Sequence, residues 1–562
     1  MILTLSGFAL TIVSIIAFIF VIGIIIIIHE LGHFLVARKS GITCNEFSIG
    51  MGPAIYKKQF EKTLFCIRAI PIGGYVSMAS EEVNDEMLKP GNIIRLVLED
   101  ELVTKIILDG KGDYDVKGEL VSYDLNDTEG NGMYITLLVD DEEKTYQIRE
   151  KAIYVLNYKQ SIQVTPYKET FDAKPVYKRF LTMAAGPFMN FVLAIIIYFI
   201  YFCAVGVPNY NSNVIGEVGK GYASENILLA GDEIVYVNNT KVNSWSEFEV
   251  ALDEYNKTMP TSVSLVVNRD GKEQRLNLNY SIIINSIGLS NLQIDEKNIV
   301  EGVEGAIVGN TAITYLDSKT NFKYLLSNGD IITTMRVDVL KDKNNIIKGD
   351  VVPIKSFADI VNNLKDVDVA NIYFGYYDLD KAKETPDNPY VTVDESPAIR
   401  SWGNEMLNNQ NIEKISLKLG ISPTYHFHLG GVITSTFKGF WKDFTLVFRT
   451  LKLLIAPSGI RQVGVKNLSS VVGIFGMVQQ IIVGGFLPLL AFTALLSTNI
   501  GVMNLLPLPV LDGGKIVFLG YEAITRKKPN KKFENALNMI FMVLLLLLFI
   551  YVTFNDISRL IG

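Results

Sequence analysis

Residues 8–28 form an almost unbroken apolar run, and the stretch "IIIIIHELGHFLVARKSG" (24–41) sets two histidines and a glutamate at its end. Such a run matches the roughly 20 residues that cross a hydrocarbon layer about 30 Å thick. Backbone groups in lipid must bond among themselves, which confines the segment to a helix. A cleaved secretory leader would carry an apolar core of about 7–15 residues behind a basic flank. No basic residue precedes this run.

Three further apolar stretches follow, at about 181–207, about 479–501 with a proline-broken continuation, and about 536–554. Four spans put both termini on one side. Arg38, Lys39, Lys57 and Lys58 follow the first span, Lys174, Lys178 and Arg179 precede the second, and "TRKKPNKK" (525–532) precedes the fourth. The positive-inside rule assigns these segments to the cytoplasm. The termini and the large region between the second and third spans then face out.

With 49% hydrophobic and 20% charged residues, the chain is expected to be part membrane and part aqueous. A net charge of -7 with no basic stripe excludes nucleic acid as a partner. Residues 81–150 carry 19 acidic against 7 basic side chains, which marks a separate solvated unit. Its stretches "LVTKIILDG", "GELVSYDL", "MYITLLVDD" and "KTYQIREKAIYVL" alternate in polarity between Gly, Asn and Asp turns. That pattern predicts a small antiparallel β domain or barrel on the cytoplasmic side. Cys44, Cys66 and Cys203 are too few and too scattered for a disulfide framework or a thiolate zinc site, and are read as structural.

The outer region has a twofold organisation. Its first half reads strand, GDEI turn, strand, NNT turn, helix, strand, hairpin, and it resembles a circularly permuted PDZ domain, which binds peptides by strand addition. The second half echoes it: "SNGDIITTM" answers "LAGDEIVYV", and "PIKSFADIVNNLKD" answers "VNSWSEFEVALDE". From Phe437 to Leu454, apolar residues recur at helical spacing opposite Lys438, Lys442, Arg449 and Lys452, which predicts an interfacial amphipathic helix.

On a helix, His29 and His33 stand one turn apart and can bind one cation, with Glu30 beside them to take a proton from water. Two of the chain's four histidines occupy these positions. An ionisable group at the edge of hydrocarbon needs a partner or a watery cavity, and without a metal Glu30 has no explanation. Far along the chain, "NLLPLPVLDGGK" (504–515) interrupts another apolar segment. Pro507 and Pro509 break its helix, and Asp512 with Gly513 and Gly514 opens a polar, close-packed site. Asp512 is the obvious third ligand; His426 and His428 are the rivals, but the span count sets them across the membrane.

These residues resemble the site-2 proteases, intramembrane zinc metalloproteases, in their bacterial regulator-of-sigma-E form. The resemblance covers most of the chain and rests on HELGHFLVAR (29–38), FSIGMGP (47–53), IPIGGYVSM (70–78), AAGPFMNF (184–191), the PDZ-like region, NLLPLPVLDGG (504–514) and FNDISRL (554–560), in order. It implies one zinc ion per chain held by His29, His33 and Asp512, with Glu30 as general base. Asn504 matches an asparagine that holds substrate backbone, and Gly186, Pro187 and Asn190 match a packing motif of the second span. "TLFCIRAIPIGGYVSM" (63–78) looks like a membrane-embedded β-hairpin whose edge, near Gly73 and Gly74, pairs with unwound substrate. The implied substrates are single-span membrane proteins or remnant signal peptides in the bacterial cell membrane, anti-sigma factors among them, first trimmed by a site-1-type protease. Two features depart from the family: the acidic insert, and "LSSVVGIFG" (468–476) where relatives carry a Gly-Gly-Pro-like turn.

The expected fold is a polytopic α-helical membrane protein with extracytoplasmic α/β PDZ-like domains and a cytoplasmic β insert. Its divisions are 1–40 (first span), 41–84 (membrane-associated β region), 85–165 (acidic insert), 166–207 (second span), 208–292 and 293–425 (PDZ-like halves), 426–470 (interfacial helix), 471–522 (third span region) and 523–562 (loop and fourth span). A non-catalytic scaffold binding peptides through the PDZ-like halves is the alternative. The intact HExxH and Asp512 argue against it, and a transporter is disfavoured because its expected repeat of spans is missing.

Overall fold

The computed structural model describes the chain apart from residues 1–6, 61–62, 81–87, 109–111, 126–131, 158–159, 295–299, 301, 310–313, 317–321, 325, 342–344, 402–412, 456–469 and 562. The first two residues of LSSVVGIFG therefore lie outside the described residues. Contacts divide the chain into one unit of residues 1–200, 437–444 and 473–550, and another of 201–436, 445–472 and 551–562.

Helices α1 (Gly7–Lys39), α2 (Val176–Val205), α7 (Phe486–Asn504) and α9 (Lys531–Ile561) contain four segments long and apolar enough to cross a membrane. Between α2 and α7 lie α3 (Trp245–Asn256), α4 (Phe357–Leu364), α5 (Leu429–Ile455) and α6 (Val471–Val483), and α8 (Asp512–Thr525) follows α7. Helix α1 runs 11 residues beyond the apolar stretch, so the HExxH residues sit on the same continuous helix. Gly41, at φ 76°, takes the left-handed conformation just past its end. The third span differs from expectation. It begins at Phe486, and residues 479–483 belong to α6, because Gly484 and Gly485, the latter at φ 98°, turn the chain between the two helices.

In the first unit, β1 (Cys44–Phe60) and β2 (Thr63–Met78) form more than the hairpin expected over 63–78. Phe47 lies opposite both Phe65 and Val76, and Lys57 lies opposite Cys66. Each long strand folds on itself, so residues 44–49 sit between 64–67 and 74–78, and 54–60 pairs beyond. The end of β2 is thereby an edge. Arg68 stitches this sheet together by donating to Ser48 Oγ, Glu46 Oε1 and Tyr75 Oη, at 2.8, 2.5 and 2.7 Å. Burial pushes the Glu46 carboxyl up, but hydrogen bonds from Arg68 and Tyr75 outweigh it and hold it below the ordinary carboxylate range.

The acidic insert is a closed sheet. Strands β3 (Ile93–Glu99), β4 (Leu102–Ile107), β5 (Val116–Asp124), β6 (Tyr134–Val139), β7 (Glu142–Asn157) and β8 (Gln160–Gln163) pair in the order β4-β3-β5-β6-β7-β8, and a parallel β4–β7 pairing closes the first five into a barrel. Asp100 with Glu101, and Asp140 with Asp141, form two-residue hairpin turns with positive φ at both positions. Leu96, Ile106, Ile135 and Tyr154 fill the interior, and among the described residues the acidic side chains lie in turns or on the outer face.

The second unit repeats one local design. Leu229 N–H donates to Asp232 Oδ2 at 2.9 Å and Ser327 N–H to Asp330 Oδ2 at 2.7 Å, after glycines at φ 98° and 96°. Each aspartate immediately precedes a strand, Glu233–Val237 or Ile331–Leu340, and α3 and α4 are N-capped by Ser244 and Ser356. Residues 415–423 pair back with 215–218 and 281–284, so the chain re-enters the first half after finishing the second. The copies differ at the aspartate. Burial raises Asp232, but two bonds from Arg269 outweigh it and lower it. Among the described residues Asp330 accepts from the backbone N–H groups of Ser327 and Leu379 alone, and burial pushes it up to about 6.

Candidate metal centre

Three side chains from two helices meet in the first unit. His29 and His33 lie one turn apart on α1, and Asp512 opens α8. The loop after α7 delivers that aspartate. Pro507 and Pro509 prevent helix through the segment, and a Cβ at Gly513 or Gly514 would come within 2.2 Å of Leu506 O or 2.3 Å of Leu508 O. The two glycines thus let the loop fold tightly against the first turn of α8.

His29 Nε2 and His33 Nε2 are 3.2 and 3.3 Å from Asp512 Oδ2 and 3.2 Å from each other. A tetrahedral zinc ion bonded at about 2.0–2.1 Å keeps its ligand atoms roughly 3.3 Å apart. The donor triangle therefore has the size such an ion requires. Among the described residues this is the one group of three His, Cys, Asp or Glu side chains so placed, and His426 and His428 are not part of it.

The protonation state fits as well. His33 Nδ1 lies 2.8 Å from Thr182 O; a carbonyl only accepts, so Nδ1 carries the hydrogen and Nε2 keeps its lone pair. The side-chain amide of Asn190 lies 3.2 Å from His29 Nδ1. With Oδ1 turned toward the ring, Nδ1–H donates and His29 Nε2 is likewise free to bind a cation.

Glu30 lines the same cavity of about 340 Å³, together with Gly73, Gly74, Tyr75 and Asn504. Its carboxylate accepts from Val76 N–H on the β2 edge, and its Cγ packs where a Cβ on Gly74 would stand, 3.3 Å away. Asn504 is the last residue of α7, and Gly73, Gly74 and Asn504 line this cavity. Gly186, Pro187 and Asn190, expected as packing residues, lie buried on α2, and two of them touch the imidazoles. Thr182, Gly32 and Arg179 were not singled out from the sequence for this site. A backbone carbonyl acceptor leaves no residue-type signal, and a helix crossing at Gly32, where a Cβ would meet Ala185 O at 2.4 Å, is a tertiary fact.

Arg179 and Glu522 fix α2 to α8 close to this site. Two guanidinium bonds of 3.0 and 2.5 Å join side chains that are 8% and 13% exposed, and Arg179 Nε also donates to Lys174 O. Removing one member of a buried pair strands the other charge. Arg179→Ala should lower unfolding stability by about 3–5 kcal/mol, read by denaturation in detergent, and Arg179→Lys should recover only part because the two-pronged geometry is lost.

The model of peptidase family M50 matches residues 17–548. A putative zinc metalloprotease of Staphylococcus aureus strain N315 is 27% identical over 554 residues, covering 97% of this chain and 98% of its own. The regulator of sigma-W protease RasP of Bacillus subtilis strain 168 is 28% identical over 552 residues, covering 97% and 99%. The zinc metalloprotease RasP of Geobacillus kaustophilus strain HTA426 is 27% identical over 552 residues, covering 98% and 99%.

Proposed function

This chain belongs to peptidase family M50, and from that premise we propose that it cuts peptide bonds within membrane-spanning segments, with His29, His33 and Asp512 holding one zinc ion and Glu30 as general base. It is a multi-pass membrane protein and a zinc metalloendopeptidase. The observation that carries the finer reading is the donor triangle, 3.2–3.3 Å on each side, with a glutamate in the same cavity.

A helical substrate hides its carbonyls in its own ladder, so it must first unwind. The β2 edge at Gly73 and Gly74 receives the extended strand, and Asn504 holds its backbone on the opposite wall. When bound, zinc supplies Lewis acidity that polarises the scissile carbonyl and acidifies water. Glu30 takes the proton of that water and returns it to the leaving nitrogen. The C–N bond breaks, leaving a carboxylate on one fragment and an amine on the other.

The basic flanks support a cytoplasmic side for this site and an outer side for the repeated α/β halves, which we read as a nested PDZ-like pair. There the pair filters substrates already trimmed by another protease. Single-span membrane proteins and remnant signal peptides fit; the name of the B. subtilis relative favours a membrane regulator of a sigma factor. A peptide-binding scaffold without catalysis would have no use for the donor triangle.

Purified protein given a single-span model substrate in detergent should cleave it, lose activity on chelation and regain it with added zinc. Cleavage that persists after the metal is shown to be stripped would end the zinc mechanism.

A further inference from the structure

A second cavity of about 360 Å³ adjoins the one that contains the candidate metal ligands, and Val76, Met78, Met183 and Lys515 line both. Lys515 lies three residues after Asp512 on α8, on the same helix face. Among the described residues it is the one Lys or Arg in the wall of the first cavity, and no ion pair or hydrogen bond engages it there. Beyond it, Arg179, Lys528 and Lys531 line the second cavity together with three carboxylates, Asp172, Glu522 and Glu534, of which Glu522 is bound by Arg179; with Lys515 the wall holds four cations against three anions.

Resting on the reading of the first cavity as a peptide-cleaving site, we propose that Lys515 binds the carboxylate that hydrolysis creates, and that the second cavity is the way out for the fragment bearing it. Hydrolysis places the oxygen of water on the carbonyl carbon and a proton on the nitrogen, so near neutral pH one new end is an anion and the other a cation. Lys515 attracts only the first. A carboxylate that lingers between His29, His33 and Asp512 blocks the next substrate, and a cation one turn along α8 gives it another partner. The fragment N-terminal to the cut therefore leaves past Lys515 between α2, α8 and the start of α9. Arg179 keeps those walls fixed, and its bond to Glu522 offsets one of the three carboxylates there, leaving Lys515, Lys528 and Lys531 against Asp172 and Glu534.

The test measures binding and needs no turnover, so it stands apart from the chelation experiment. A short apolar peptide with an N-terminal fluorophore is made with a free C-terminal carboxylate and as the C-terminal amide. Both are titrated by anisotropy into the zinc-loaded full chain and into its Lys515→Ala and Lys515→Arg variants, with zinc content measured in each. The parent should prefer the acid, and Lys515→Ala should shrink the acid-to-amide ratio by about tenfold, the size of one charge-assisted hydrogen bond. Lys515→Arg should restore most of it. A parent with no acid preference, an unchanged ratio in Lys515→Ala, or a loss that arginine does not restore overturns the assignment. If the acid preference follows Lys515 while the parent fails to cleave its model substrate, the site stands as a carboxylate receptor and the peptidase reading alone falls.

Discussion

Glu30→Gln should lower cleavage of a single-span substrate by about a hundredfold to ten-thousandfold, the usual worth of a positioned general base, while zinc stays bound at one ion per chain. Glutamine has the shape of glutamate and can still accept the N–H of Val76, so the β2 edge keeps its place beside α1. It cannot take a proton from water, and the three donor atoms of His29, His33 and Asp512 are untouched. The variant therefore separates chemistry from metal binding and from substrate docking: KM should move little and kcat should collapse. Activity equal to the parent at equal zinc content would remove Glu30 from the mechanism and with it the water-attack scheme.

The separation between what the sequence reveals and what it hides follows the range of the forces involved. His29, Glu30 and His33 are legible because the helical period alone puts both imidazoles on one face. Asp512 is legible because two prolines and a glycine pair in an apolar segment have no purpose in lipid-facing helix. The barrel strands are legible through alternation and through acidic pairs at hairpin turns, but the parallel β4–β7 pairing that closes them joins residues some 45 positions apart and leaves no local mark. Composition also misled. Residues 471–501 are apolar enough to read as continuous across 479–501, and only the backbone at Gly485 reveals two helices. The same holds for β1 and β2, where the extra pairing of residues 46–49 is set by tertiary folding. At the site itself, the resemblance supplied Gly186 and Asn190 as packing residues; their contact with the imidazoles depends on where α2 crosses α1.

That crossing makes Gly186→Ala the second severe substitution. A Cβ there would stand 2.2 Å from His33 Nε2 and 2.8 Å from His29 Nε2, the two atoms that face Asp512. Neither ring can step aside cheaply, since Thr182 O holds His33 at 2.8 Å and the Asn190 amide holds His29 at 3.2 Å. Parting the helices would break the close approach of Gly32 to Ala185 O and forfeit its packing. The added methyl is a helix-favouring change in itself, by about 1 kcal/mol, so the damage should fall on the metal and not on α2. Zinc affinity should drop by at least about 100-fold, the upper range for disturbed ligand orientation, and cleavage should vanish at ordinary zinc levels. Gly23→Ala, on the same α1 but with nothing within 4 Å of its Cβ, should behave as the parent. Full zinc retention in Gly186→Ala would mean that the imidazoles do not meet the metal from the side facing α2. A loss confined to Gly186→Ala would tie the metal centre to a single helix crossing, which explains why a residue without a side chain stands at the heart of a site built from three charged or polar ones.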